Sequence, residues 1–195
     1  MNKFGAGVLA FSCMVGCGAR QRSVDTPVAG AVAPDKVTTA GDDMFECDAL
    51  AGHYSKWSHA IADTGQVSGW MYFYTVRSDP NWLPWGSVLL RPKEGTPTAG
   101  MVAGRPRGKD VLLLNSAYQD AGQYRQALLI PELPLATDVH FTFRWSPGKI
   151  EVQLAHDPSW HPIPIGFTPA RLGLGCSTAD VVFHDISIKS PASPP

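Results

Sequence analysis

Two short stretches carry residues suited to holding a ligand. Asp79-Pro-Asn-Trp82-Leu-Pro84 and Asp157-Pro-Ser-Trp160-His-Pro162 both read Asp-Pro-x-Trp-x-Pro. Asp ahead of Pro favours a turn, and a second Pro stiffens it. Each stretch reads as a rigid loop presenting an indole, and Trp85 follows closely on the first. Aromatic faces on rigid loops stack on the apolar face of a sugar ring, offering a large contact at small entropic cost. The competing use is structural, since Trp is usually largely buried and can fold back over a sheet edge. A third candidate is residues 67–76, VSGWMYFYTV. A period of two puts Ser68, Trp70, Tyr72 and Tyr74 on one face and Val67, Gly69, Met71 and Phe73 on the other. Either face suits a core, and the Trp70/Tyr72 face also suits a binding stripe. Arg77 and Arg144 are placed to pair with an acidic glycan.

Other chemistries have weaker footing. Cleavage of a glycosidic bond with retention needs two carboxyls about 5–5.5 Å apart. The glutamates are Glu46, Glu94, Glu132 and Glu151, and only Glu46 has a strand-spaced acidic neighbour, Asp48. His53 with His59, and His156 with His161, are loose pairs, whereas zinc needs three or four convergent ligands. Calcium needs clustered oxygens. Asp42, Asp43, Asp63 and Asp180 are available for it, but no spacing singles them out. No cofactor is expected on these grounds. The formal net charge of −1 and the lack of a basic cluster exclude a strong field toward nucleic acid. No Gly-x-Ser-x-Gly, P-loop or Gly-x-Gly-x-x-Gly pattern is present.

The elements that must position these residues are strands. In HFTFRWSPGKIEVQL, residues 140–154, Phe141, Phe143 and Trp145 alternate with His140, Thr142 and Arg144. Ser146-Pro147-Gly148-Lys149 then supplies the φ values of a type II turn. Ile150, Val152 and Leu154 continue the alternation, so the stretch predicts an antiparallel hairpin with one apolar face. Its Phe/Trp face is expected to be core, with Arg144 alone facing ligand. Further strands are expected at 67–76, 87–91, 111–114, 126–130, 171–175 and 181–189. Turns are expected at Asp79-Pro80, 95–97, 107–110 and Pro131. Many short strands without helices predict an all-β sandwich or barrel.

The hairpin resembles the "His, aromatic, x, hydrophobic, x, Trp, turn, Ile" strand pair of the concanavalin A-like lectin/glucanase superfamily. That group includes laminin-G-like domains and glycoside hydrolase family 16. The ending RLGLGCSTADVVFHDISIK resembles the same group, with a Gly-rich strand, an Ala-Asp turn and a last strand of the type "hydrophobic, Phe, x, Asp, Ile, x, Ile". The resemblance covers residues 137–189. It implies a jelly-roll β-sandwich of two curved antiparallel sheets, with any ligand on the concave face. The family 16 Glu-x-Asp-x-(x)-Glu strand is absent, which argues against that hydrolase activity. Tyr118-Gln-Asp-Ala-Gly122-Gln-Tyr124-Arg-Gln126 also resembles, in spacing, the Tyr-x-Lys-x-Gly-x-Tyr-x-Gln strand of alginate-lyase-like jelly rolls. Asp120 replaces the Lys, and no Arg-x-Glu-x-Arg or Gln-Ile-His accompanies it. The stretch therefore reads as a polar turn entering a strand.

The N-terminus reads as a targeting segment. Lys3 precedes an apolar run, residues 4–15, that is too short for a permanent membrane span. Met14-Val15-Gly16-Cys17 resembles a bacterial lipobox, which implies cleavage after residue 16 and a lipid on Cys17. Gly18, rather than Asp, implies outer-membrane sorting. Residues 18–43 are rich in Ala, Val, Thr, Pro and Gly, lack aromatics, and read as a tether with a root-mean-square span of about 25–30 Å. Residues 44–190 are expected to fold, and 191–195 to form a disordered tail. With Cys17 acylated, Cys47 and Cys176 remain as a pair in an oxidising compartment, and a disulfide between them is expected. Together these readings predict an envelope lipoprotein whose sandwich binds, without catalysis, an envelope or extracellular glycan. The alternatives are a hydrolase or lyase with a divergent site, and a structural or protein-interaction module.

Overall fold

The computed structural model describes residues 44–120 and 123–190. The residues read above as signal peptide, lipidated Cys17, tether and tail, together with Asp42 and Asp43, lie outside these residues. In chain order the strands are β1 (Met44–Asp48), β2 (Tyr54–Ala60), β3 (Gly65–Val76), β4 (Trp85–Arg91), β5 (Thr98–Gly104) and β6 (Val111–Asp120). There follow β7 (Gln123–Pro134), β8 (Asp138–Ser146), β9 (Lys149–Leu154), β10 (Asp157–Pro164), β11 (Arg171–Ser177) and β12 (Ala179–Lys189). They form two six-stranded antiparallel sheets. Sheet A runs β1-β12-β3-β8-β9-β10, and sheet B runs β2-β11-β4-β5-β6-β7. This is the expected jelly-roll sandwich.

Period-two patterning decides which side chains lie between the sheets. In β3, Val67, Gly69, Met71 and Phe73 point inward, so Trp70, Tyr72 and Tyr74 lie on the outer face of sheet A. In the β8–β9 hairpin, Phe141, Phe143, Ile150 and Val152 are wholly buried and Trp145 nearly so. Burying each such side chain stabilises the fold by about 1.5–3 kcal/mol. Trp145 Nε1 donates to the Ala62 carbonyl at 2.9 Å, which satisfies the indole's polar atom. Gly148 adopts φ +74, as the expected turn requires. Sheet B contributes Val88, Leu90, Met101, Leu112, Leu114, Leu172 and Leu174.

The first and last strands pair, Met44 opposite His184 through Asp48 opposite Asp180. Cys47, on β1, is bonded to Cys176, on β11 of the other sheet. The expected disulfide is present, and it joins the two layers across the core.

Several local expectations are corrected. Residues 157–162 are not a free loop but the start of β10. This is an edge strand, where Pro158, Pro162 and Pro164 remove no essential ladder bond. Pro131 does not end a strand either, because β7 is the other sheet's edge and runs through it. Strands β1, β2 and β5 are additional to those expected. In β5, TAGMVAG, small residues replace the β-branched and aromatic types that signal a strand.

Candidate functional site

The seven residues proposed for ligand do not share one surface. Trp70 lies on sheet A between its cross-strand neighbours His140 and His184. Their rings are 4.6 and 6.2 Å away, the second parallel to within 7°. His184 is held in turn by Asp185 at 3.1 Å and Asp138 at 3.3 Å. Both flanks of the indole are therefore occupied by imidazoles. Tyr72 meets Tyr74 edge-on at 6.1 Å on the same face.

Arg77 and Arg144 are tied internally. Arg77 pairs with Asp48 at 2.7 Å and donates to the Ala49 carbonyl at 2.8 Å. Arg144 pairs with Glu151 at 2.7 Å, and its guanidinium caps the Trp160 ring at 4.0 Å. Arg144, followed by Lys149, holds the Glu151 carboxyl below its usual range. Trp160 thus has one face covered, on edge strand β10. Trp82 stands apart at the end of the sandwich and is 43% exposed. Its loop is ordered by Asp79, whose Oδ1 accepts the N–H groups of Asn81 and Trp82 at 2.8 and 2.9 Å. The sequence echo is real at this level. Asp157 likewise accepts the Ser159 N–H at 2.8 Å, which lowers its pKa with help from His161.

Trp85 leads to a different surface, the outer face of sheet B. Residues directly opposite in an antiparallel pair share a face. The register therefore builds rows across the sheet. One row runs Tyr54, Ser177, Trp85, Gly104, Leu113. The next runs Lys56, Gly175, Ser87, Val102, Asn115, Leu128. A third runs Ser58, Gly173, Leu89, Gly100, Ala117, Gln126. A fourth begins Ala60, Arg171, Arg91 and continues through Thr98, Gln119 and Tyr124. Glycine and other small residues form the floor. Its low relief lets larger side chains lie flat, and the Trp85 ring passes 3.7 Å from where a Cβ on Gly175 would sit. Ser87 and Ala117 are shielded at 3% and 4% exposure. The groups offered to a ligand are therefore half-buried Trp85, Leu89, Arg91, Val102 and Asn115, with exposed Gln126, Leu128 and Arg171. Trp85 and Arg91 mark the two ends of β4, about 20 Å apart at the usual strand rise.

The charge on this face is one-sided. Strands β2, β4, β5 and β11 contain no Asp or Glu. Asp120 and Glu132 are the acidic residues of β6 and β7, and they lie at opposite ends of that hairpin. Asp120 pairs with Gln123, whereas Glu132 adjoins Leu133, opposite Leu112. The separation is about 30 Å along the strand, too wide for two-carboxyl chemistry. Asp120 is also hydrogen-bonded by the Tyr118 hydroxyl at 3.2 Å. Tyr118–Asp120 end β6 and Gln123–Gln126 begin β7, with Asp120 opposite Gln123, so both strands run further into this stretch than its polar-turn reading expected.

Carboxyls do meet on sheet A. Asp48 faces Asp180 directly across β1 and β12, with Glu46 beside them. Burial, then Asp48, then Glu46, push the Asp180 carboxyl up, and its Oδ1 is buried without a partner among the described residues. No group of three His, Cys, Asp or Glu fit to hold a metal occurs among the described residues.

Sequence reasoning missed Arg91, Arg171, Asn115, Gln119 and Gln126. Each is an isolated polar residue in its strand, and only the cross-strand register assembles them.

No family model matches the chain, and no curated protein does. Solved structures match in fold. Carbohydrate-binding module CBM66 from Bacillus subtilis aligns with a TM-score of 0.50 at 13% identity, over 76% of this chain and 96% of its own. An alginate lyase from Alteromonas sp. 272 aligns at 0.54 and 8% identity, over 80% and 90%. A Bacteroides ovatus GH16 protein from a mixed linkage glucan PUL, in complex with its G4G4G3G product, aligns at 0.51 and 10% identity, over 77% and 83%. The shared fold is the concanavalin A-like jelly roll that the hairpin and last strand implied.

Proposed function

We propose that this chain is a glycan-binding, non-catalytic sandwich held at the bacterial envelope by lipid on Cys17, with sheet B as its binding face. One observation carries the reading. The outer face of sheet B sets a flat indole, amide side chains and arginines over a floor of small residues. Four of its strands lack any acidic residue. An aromatic platform with hydrogen-bonding amides suits a sugar polymer lying across the strands. The likeness to a carbohydrate-binding module, a lyase and a GH16 protein supports a carbohydrate-related sandwich. The lipoprotein assignment is supported by Met14-Val15-Gly16-Cys17 and the tether that follows.

The test is affinity electrophoresis of the full chain against a panel of acidic and neutral glycans. Wild type is expected to be retarded by at least one polymer. Trp85→Ala is expected to weaken that binding roughly tenfold or more, the scale of losing a buried aromatic anchor. Retention of full affinity in Trp85→Ala would remove sheet B from the proposal.

The Asp48–Asp180 pair favours a second reading, a hydrolase, because two carboxyls meet there and the Asp180 carboxyl is pushed up, as suits a proton donor beside a second acid. Under that reading the protein generates new reducing ends, and Asp180→Asn abolishes them. The binding reading expects none from either form.

A further inference from the structure

Arg91 and Arg171 stand directly opposite each other on β4 and β11. Like charges in that position weaken a sheet. A carboxylate between them would remove the cost, yet the arginines paired with carboxylates among the described residues are Arg77, Arg105 and Arg144. Arg171 is exposed and donates from Nε to Ser58 Oγ at 3.2 Å. Arg91 is half-buried, and its Nε is buried with no acceptor among the described residues. Its guanidinium carbon lies 3.8 Å from where a Cβ on Gly173 would sit, so it rests over the β11 floor rather than reaching away from it. Burial, and then the charge of Arg171, weaken the hold of Arg91 on its proton. The cost is of the kind that a bound anion reverses. Thr98, Gln119 and Tyr124 extend the same row with a hydroxyl, an amide and a phenol.

We infer that the Arg91–Arg171 pair is a subsite for an oxyanion substituent, carboxylate or sulfate, on the glycan bound across sheet B. The inference rests on the glycan-binding reading above. A guanidinium presents a planar fork of donors that fits such oxyanions in a bidentate manner. One anion between the two guanidiniums converts a repulsion into two attractions. Arg77 and Arg144, by contrast, already have carboxylate partners in Asp48 and Glu151.

The test is affinity electrophoresis of the full chain in polygalacturonate, dextran sulfate and two neutral polymers, barley β-glucan and xyloglucan. Wild type is expected to bind polygalacturonate or dextran sulfate, and the polymer that retards it tells carboxylate from sulfate. Arg91→Gln and Arg171→Gln are each expected to weaken that binding roughly tenfold or more, as for loss of a charge-assisted hydrogen bond. Arg171→Lys keeps the charge without the fork and is expected to fall between. Lys189→Gln, which removes an exposed lysine from sheet A rather than sheet B, is expected to change little. Without ligand, both Gln variants are expected to melt at or above the wild-type temperature, because a like-charge contact is relieved. The inference is overturned if the Gln variants bind acidic polymers normally, if Lys189→Gln costs as much, or if the Arg91→Gln and Arg171→Gln variants melt lower. Binding to neutral polymers alone ends it while leaving the glycan reading intact. Retardation by no polymer ends both.

Discussion

Arg77, Arg91, Arg144 and Arg171 carry the same charge, and their surroundings give them different work. Arg77 and Arg144 lie at sheet A beside Asp48 and Glu151, and their pairs are closed. Arg91 and Arg171 sit on sheet B, where the neighbouring strands supply no acid. Asp180 is the inverse case, a carboxyl pressed by burial and by two other carboxyls. Its folded-state pKa lies above the ordinary value of 3.8, so the folded protein holds this proton more tightly than the unfolded chain does. The charged form therefore costs stability above the raised pKa. That cost is recovered as pH falls through the raised value toward 3.8. Asp180→Asn is expected to raise the urea midpoint at neutral pH and to flatten this part of the pH dependence. A lower midpoint at neutral pH would show that the carboxylate is a needed partner.

At the scale of the element, β5 shows why a strand of poor propensity is nonetheless a strand. A Cβ on Gly100 would lie 2.1 Å from the Val88 carbonyl oxygen and 2.9 Å from Leu89 Cα. Those are backbone atoms of the paired strand β4, which cannot move aside without breaking the ladder. Gly100→Ala is expected to cost about 3 kcal/mol or more, at the upper end for overpacking. The denaturant midpoint measures this, and an unchanged midpoint would show that β4 and β5 can separate freely. Strands β7 and β10 make the complementary point. Their prolines are tolerated because each lies at a sheet edge, where they also discourage pairing with another chain.

At the scale of the whole molecule, the Cys47–Cys176 bond ties sheet A to sheet B across 129 residues of chain. In the chain-entropy account, closing a loop of that length restricts the unfolded state by about 5 kcal/mol. Replacing both cysteines by alanine is expected to lower stability by about 2–5 kcal/mol. Reductant should then shift the denaturation midpoint of the wild type but not of the double variant. An equal response of both proteins would mean that the bond contributes nothing. The sandwich also divides its surfaces by chemistry. Sheet A carries closed ion pairs and stacked rings on its outer side, while sheet B keeps Arg91 and Arg171 unneutralised.

What the residues alone determined was local and periodic. Alternation made Phe141, Phe143 and Trp145 a buried face, Pro147-Gly148 a turn, and the missing Glu-x-Asp-x-(x)-Glu strand an argument against family 16 chemistry. The pairing of Cys47 with Cys176 was legible from compartment and count. Which face of β3 is core was not, because both faces carry apolar or aromatic groups and only the opposing sheet decides between them. The candidate site was least legible. Trp85 was found by type, but Arg91 and Arg171 lie far apart along the chain and become neighbours only through the β4–β11 register. Cross-strand proximity depends on which strands pair and in what register, and the core shared by the two sheets sets both.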